Sequence, residues 1–217
     1  MRMPALKRKL SSYSVVIPIK DEDAGKGTPL ATVSLIVINI AAFLLATDRI
    51  YEQYGMVSAD ILKLYNIRTI VTSQFIHGDT AHLLFNMWPL LIFGKSVEKR
   101  LGKAKFVAFY VIAGVAAGFV NALFTPFSQE ITVGASGAIA GVIGAHMALF
   151  PKNYILTFLP GRYDPFIHVP SYYWALFWLA VQLVYGIFSF FTSADIAYWA
   201  HVGGFLFGYL VFRKIRA

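Results

Sequence analysis

Six apolar segments, each close to the length needed to cross a bilayer, constrain the fold of this chain more than any other feature. A helix crosses the hydrocarbon core with roughly 20 apolar residues, and at such lengths only a helix satisfies its backbone hydrogen bonds within lipid. The pattern therefore predicts an all-α polytopic membrane protein, a bundle of six transmembrane helices. The segments are 29–46, 76–94, 106–124, 134–150, 173–191 and 196–212.

The composition agrees with a membrane as the solvent. Hydrophobic residues make up 58% of the chain and charged residues 14%, whereas a soluble domain is about half apolar and about a quarter charged. The net charge of +8 does not indicate nucleic acid binding, because the basic residues lie between the apolar segments. The absence of Cys excludes disulfides and thiolate chemistry.

The distribution of Lys and Arg predicts the orientation. With the N-terminus inside, the outer loops keep only Arg49, Lys63 and Arg68 of the 19 basic residues. Cytoplasmic loops carry the excess of Lys and Arg in membrane proteins. Both termini are therefore expected to be cytoplasmic, an N-in/C-in arrangement.

Three parts follow from this layout. Residues 1–28 are polar and charged and are interpreted as a mobile or surface-bound cytoplasmic arm, residues 29–212 form the membrane domain, and residues 213–217 form a cytoplasmic tail. The long first outer loop, 47–75, mixes aromatic and aliphatic residues with charges, which predicts a position in the membrane interface. Segment 134–150 is short, so its outer end is expected to begin below the membrane surface.

Polar residues within the apolar segments are functional candidates, because polar groups are costly in lipid. None of them is a carboxylate, which disfavours aspartyl and HExxH zinc proteases and leaves hydroxyl and imidazole chemistry. We assign Asn39, Asn121 and Gln182 to interhelical hydrogen bonds. The remaining candidates are His82, Asn86, Ser136, His146 and His201.

The predicted topology brings four of these candidates to one depth. The second, fourth and sixth segments all run from outside to inside, and they carry His82 and Asn86, then Ser136, then His201 near their outer ends. His82 and Asn86 are four residues apart and share a helix face. His146 lies about 15 Å further along its helix than Ser136 and falls outside this cluster.

Pairs of glycines predict which of these helices approach each other. Small residues spaced four apart let helix backbones pack closely in lipid. Such packing of the fourth and sixth segments would bring His201 within hydrogen-bond reach of Ser136. The pairs are Gly137 with Gly141 and Gly204 with Gly208.

Four motifs, in this order along the chain, resemble those of the rhomboid intramembrane serine proteases. Residues 82–86, His-Leu-Leu-Phe-Asn, are similar to the HxxxN motif of the family, and residues 97–102 to the segment after its second helix. Residues 134–137, Gly-Ala-Ser-Gly, resemble its GASG motif, and residues 200–208 its AHxGGxxxG motif. Together the matches cover about residues 65–210, and the six-helix, N-in layout is that of the rhomboid core.

The resemblance implies a role for each site residue. Ser136 would be the nucleophile and His201 the general base, while His82, Asn86 and the backbone N–H of Ser136 would form the oxyanion site. Loop 192–196 or the outer end of the fifth segment is the expected gate for the substrate.

The resemblance also implies the function. It indicates an intramembrane serine endopeptidase that cleaves transmembrane segments of membrane-protein substrates near their outer end, without a cofactor or a metal. Its partners would be these substrates and membrane lipids, and no nucleic acid. We expect an integral multi-pass protein of a prokaryotic cell membrane, and the sequence does not predict its oligomeric state.

Two positions depart from the family pattern. Rhomboids often carry an aromatic residue four positions after the serine, stacked on the histidine, and this chain has Ala140 there. Another group must then orient His201. The family also often has Trp-Arg in the first outer loop, where this chain has Ile67-Arg68.

Two other functions remain open at this level. A catalytically inactive rhomboid-like protein that binds membrane clients would have lost the serine or the histidine, and this chain keeps both. A metal or solute carrier could use His77, His82 and His201 as ligands, but it lacks the acids and paired broken helices typical of transporters.

Overall fold

A computed structural model describes residues 16–161, 163–192 and 196–214 and is mostly helical. Each of the six apolar segments overlaps with one long helix, although three of these helices begin or end outside their segment. The helices are α1 Leu30–Leu45, α2 Asp48–Tyr54, α3 Ser58–Leu62, α4 Thr69–Thr72, α5 Thr80–Leu101, α6 Lys103–Phe124, α7 Ser136–Leu149, α8 Ser171–Phe188 and α9 Tyr198–Phe212, with a 3₁₀ turn at Ser73–Phe75. The strands are β1 Ile17–Asp21, β2 Met56–Val57, β3 Ile131–Thr132, β4 Tyr154–Phe158 and β5 Phe166–Pro170.

Length and apolar character differ among the long helices. Helices α6 and α8 are long and apolar enough to cross a membrane, and α1, α7 and α9 are shorter apolar helices. Helix α5 has 22 residues, but Lys99 and Arg100 lie in its last turn. The fold is mostly helical, as predicted, but it is not all-α, because five short strands form a three-stranded and a two-stranded sheet. The count of six crossings and the N-in/C-in orientation stay predictions.

The first predicted outer loop, 47–75, forms a small helical layer against α6. A separate apolar cluster joins Met56, Ile61 and Ile70 of this layer to Ala122 of α6. Asn121 of α6 donates a hydrogen bond of 3.3 Å to the Ser58 hydroxyl, which ties α6 to α3. The layer also exposes apolar side chains, as an interfacial position requires. They include Leu62, Leu64, Tyr65 and Ile67.

Strand β1, within the predicted N-terminal arm, is docked on the helical bundle. It pairs with β4 in an antiparallel three-stranded sheet of order β1-β4-β5. At its end, the buried Asp21 carboxylate accepts hydrogen bonds from Ser96 of α5 and from His146 Nε2 of α7 at 2.9 Å. His146 Nδ1 lies 2.8 Å from the Ser171 hydroxyl of α8. The interpretation as an arm thus does not extend to β1, and residues 1–15 and 215–217 lie outside the described part.

We expect Asp21→Asn to lower the free energy of unfolding by about 2 kcal/mol, since it leaves buried donors with a weaker acceptor. Burial raises the pKa of the Asp21 carboxyl, but the hydrogen bonds from His146 and Ser96 and the attraction of His146 outweigh it, so the pKa lies below its ordinary value of 3.8. This stabilisation is therefore present above that value and is lost as the pH falls through the folded-state pKa.

Unfolding in detergent, followed as a function of pH, measures this contribution. The wild-type protein should lose its advantage over Asp21→Asn only below about pH 4. Asp164→Asn, at an exposed carboxylate of the β4–β5 loop, is the control and should leave stability unchanged. An advantage that persists unchanged at pH 3 would contradict the assignment.

Helix α7 lies at the centre of the bundle, and its residues 137–148 are all buried. Its glycines allow backbone contact with α9. A Cβ at Gly204 would overlap the carbonyl oxygen of Gly137, and one at Gly208 would overlap that of Gly141. The two helix backbones therefore touch along one face, as small residues permit in lipid.

We expect Gly204→Ala to destabilise the protein by about 1–3 kcal/mol, because the added methyl group must push the α7 backbone away. Gly186→Ala is the matched control, since its Cβ would meet the Trp199 side chain at 3.3 Å and no backbone atom that closely. Thermal unfolding of both variants in detergent checks the expectation. Equal melting temperatures for the two variants would contradict this description of the α7–α9 contact.

Candidate active site

Helices α7 and α9 place Ser136 and His201 at the same end of their common interface. Ser136 is the first residue of α7, and His201 lies in the first turn of α9. Next to them, Gly137 and Ala200 are in contact: a Cβ at Gly137 would lie 3.6 Å from the Ala200 Cβ. The hydroxyl and the imidazole are thus carried by adjacent backbones.

The loop before Ser136 is held by two hydrogen bonds from its backbone. Gly134 N–H donates to the Ser73 carbonyl at 2.9 Å, and Ala135 N–H donates to His77 Nε2 at 3.4 Å. His77 is fully buried, and its ring meets the His82 ring edge to face at 5.1 Å. His77 therefore supports the loop that leads into α7.

Polar groups of α5 lie directly against this loop. Gly134 has φ +121°, and a Cβ there would lie 2.6 Å from His82 Nε2 and 3.7 Å from Asn86 Nδ2. The Asn86 amide nitrogen is buried and has no hydrogen-bond partner among the described residues. No side chain caps the N-terminus of α7, where free N–H groups favour a negative charge. The Gly134 backbone therefore packs against polar side chains of α5, beside the N-terminus of α7.

His201 is held by two side chains of α8. Its Nδ1 lies 2.8 Å from Gln182 Oε1, and its ring lies 5.9 Å from the Trp178 ring at an interplanar angle of 34°. Tyr198, one turn earlier in α9, contacts the ring edge to face. The sequence left open what orients His201 beside Ala140. The structure brings Gln182 and Trp178 to it.

The Ser136 hydroxyl and the His201 ring are not hydrogen-bonded to each other in the described part of the chain. Without a substrate, catalytic hydrogen bonds are often long and tighten only when the substrate binds. Asp195 and most of the predicted gate loop 192–196 lie outside the described residues.

The remaining polar candidates lie away from this site. His146 belongs to the Asp21 network at the other end of α7. The Asn39 side-chain amide donates to the Leu35 carbonyl of its own helix at 2.8 Å. Arg68 lies over the Tyr54 ring at 5.9 Å. Among the described residues, no three His, Asp or Glu side chains are grouped to hold a metal ion.

Comparisons with known proteins agree with the sequence motifs. Residues 63–216 match the Rhomboid domain family. The chain is 31% identical over 187 residues to Rhomboid protein 1, mitochondrial, of Saccharomyces cerevisiae. These residues cover 82% of this chain and 51% of that protein. It is 28% identical over 151 residues to Putative rhomboid protease YdcA of Bacillus subtilis, covering 67% of each.

A third relative is Rhomboid protease AarA of Providencia stuartii, 30% identical over 154 residues, which are 64% of this chain and 52% of that protein. The chain thus spans about half the length of two of these three relatives, and 41% of RHOMBOID-like protein 6, mitochondrial, of Arabidopsis thaliana. Mitochondrial and bacterial proteins both appear among the relatives.

Proposed function

The chain belongs to the rhomboid family, and we propose that it is an intramembrane serine endopeptidase that cleaves transmembrane segments of membrane-protein substrates near their outer end. This function is supported by membership in a membrane-embedded family in which several relatives are named as proteases. One observation carries the proposal further: His82 and Asn86 of α5 lie against Gly134, next to Ser136, at the helix end that also carries His201.

In the proposed reaction, Ser136 Oγ attacks the scissile carbonyl carbon while His201 Nε2 takes the hydroxyl proton. The proton then passes to the amide nitrogen as the peptide bond breaks, and the first product leaves. Water next attacks the acyl-enzyme carbonyl, again giving its proton to His201, and the second product leaves with Ser136 restored. The dyad has no acidic third member in this scheme.

The negative charge on the attacked oxygen needs donors in both steps. We assign this role to the Asn86 amide, to His82 and to the backbone N–H of Ser136. The buried and unpartnered Asn86 Nδ2 supports the assignment, because a buried donor without an acceptor is costly unless a ligand supplies one. Each donor of this kind contributes about 3–4 kcal/mol to lowering the barrier.

In a membrane, the substrate would reach the site laterally from the bilayer, and water would reach it from the outer aqueous side. We propose that the long helices cross six times with both termini inside, and that the outer end of α8 is the gate. The large exposed apolar surface of α8 supports the gate assignment, because it includes Phe177, Val184 and Phe188 and little holds this helix on its outer side. A prokaryotic cell membrane remains the expected location.

Cleavage of a model transmembrane substrate by the purified protein in detergent tests the function. We expect two fragments cut near the outer end of the segment, inhibition by a fluorophosphonate, and no effect of EDTA. Binding of the substrate without cleavage would favour a client-binding protein instead. Absence of cleavage, together with bound zinc that EDTA removes, would favour a metal carrier.

A further inference from the structure

We propose that Gln182 is a positioning residue that holds His201 in the tautomer and ring orientation needed to accept the Ser136 proton. This inference rests on the proposed serine protease function and adds a residue to it. It also supplies the orienting group that the sequence did not reveal, since Ala140 provides no aromatic ring.

The hydrogen bond itself fixes the tautomer. Gln182 Oε1 and His201 Nδ1 are 2.8 Å apart, and an amide oxygen only accepts hydrogen bonds. Nδ1 therefore carries the ring hydrogen, and Nε2 keeps its lone pair. A general base must present such a lone pair to the hydroxyl, so the bond to Gln182 leaves the correct nitrogen free for Ser136.

A glutamine suits this position better than the carboxylate that orients histidine in water-soluble serine proteases. Gln182 is 8% exposed and lies in the middle of an apolar helix. A buried carboxylate would carry a large desolvation cost there, whereas the amide offers an oxygen acceptor without a charge. Trp178, one turn earlier on α8, covers the same imidazole ring, so two side chains fix both its tilt and its rotation.

The position of Gln182 makes the state of His201 depend on helix α8. Ser136 is carried by the enclosed helix α7, but Gln182 is carried by α8, whose outer side is mostly exposed. Movement of α8 away from α9 would break the 2.8 Å bond. The base is therefore fully oriented only while α8 is docked, which links the proposed gate helix to the reaction.

Gln182→Met and Gln182→Glu test the inference in the full-length protein. Met keeps the side-chain volume but removes the hydrogen-bond acceptor. We therefore expect kcat to fall roughly 10- to 100-fold with KM little changed, because part of the rate enhancement that a general base supplies would be lost. Glu keeps an oxygen acceptor at the same place, so kcat should fall less than in Gln182→Met. Where its carboxyl ionises beside the imidazole, it favours the imidazolium and moves the acid limb of the pH–rate profile to higher pH. The titratable groups that lie against His201 in the described chain are His82 and Tyr198, and neither variant changes them.

Gln74 offers the matched control. It is also a buried glutamine, and it bonds the Ile70 and Val111 carbonyls. Gln74→Met and Gln74→Glu should change stability without moving the pH profile. Wild-type kcat in Gln182→Met, or a loss of kcat in Gln182→Glu as large as in Gln182→Met, would overturn the inference. Absence of cleavage by the wild-type protein would instead reject the proposed function itself.

Discussion

Ser136→Ala is expected to lower cleavage of a transmembrane substrate by about 10⁴-fold or more, because removal of the nucleophile leaves only binding and oxyanion stabilisation. The folded structure should survive. The Ser136 hydroxyl makes no hydrogen bond in the described part of the chain, and the change removes a single atom. Quantified cleavage of a labelled substrate, with substrate binding measured in parallel, gives the result.

The matched control is Ser34→Ala, which removes the hydroxyl of another helix serine. Ser34 donates to the Leu30 carbonyl within α1 and lies on an exposed face. Its loss should leave cleavage unchanged. Substantial cleavage by Ser136→Ala, or fluorophosphonate labelling of that variant, would remove Ser136 from the role of nucleophile.

Gly134→Ala is expected to lower kcat by about 10²- to 10³-fold, the effect of losing an oxyanion donor. The new methyl group would overlap the His82 ring, since its Cβ would lie only 2.6 Å from Nε2. It would thereby displace His82 from the position in which we propose that it donates to the negatively charged oxygen. The backbone adds strain, because φ is +121° and non-glycine residues rarely adopt such values.

A second glycine separates the effect of backbone strain from the effect of the overlap with His82. Gly161 also has a positive φ, +89°, but a Cβ there would meet nothing within 4 Å. Gly161→Ala should therefore cost some stability and leave kcat unchanged. Gly134→Ala and Gly161→Ala can each lower the folded fraction. If the activity of both falls only in proportion to that fraction, the groups beside Gly134 do not form the oxyanion site.

The long helices and their order could be predicted from the sequence because the signals are local. Apolar length alone located the segments that they overlap. The predicted topology then placed Ser136 and His201 at the same end of their helices, and the glycine pairs indicated that α7 and α9 pack together. Helix α7 begins two residues later than predicted, at Ser136, because Gly134 adopts a φ that a helix does not allow.

The non-local parts could not be predicted from one sequence. Strand β1 pairs with β4, more than a hundred residues later, and Asp21 meets His146 only because that sheet forms. The sequence of a five-residue strand does not indicate which strand it pairs with. For Gln182 the sequence predicted a hydrogen bond but not its partner, because a polar residue inside an apolar segment is expected to bond to another helix. Which helix it meets is set by the docking of α8 on α9.

The enclosure of α7 has a practical consequence for protein engineering. Every residue from 137 to 148 is surrounded by the rest of the protein, so a mutant library over this stretch would yield mostly misassembled molecules. The outward positions of α8, such as Phe177 and Val184, are half exposed in the described part of the chain. Under the proposed function, substitutions that change the choice of substrate should therefore map to α8 and leave α7 intact.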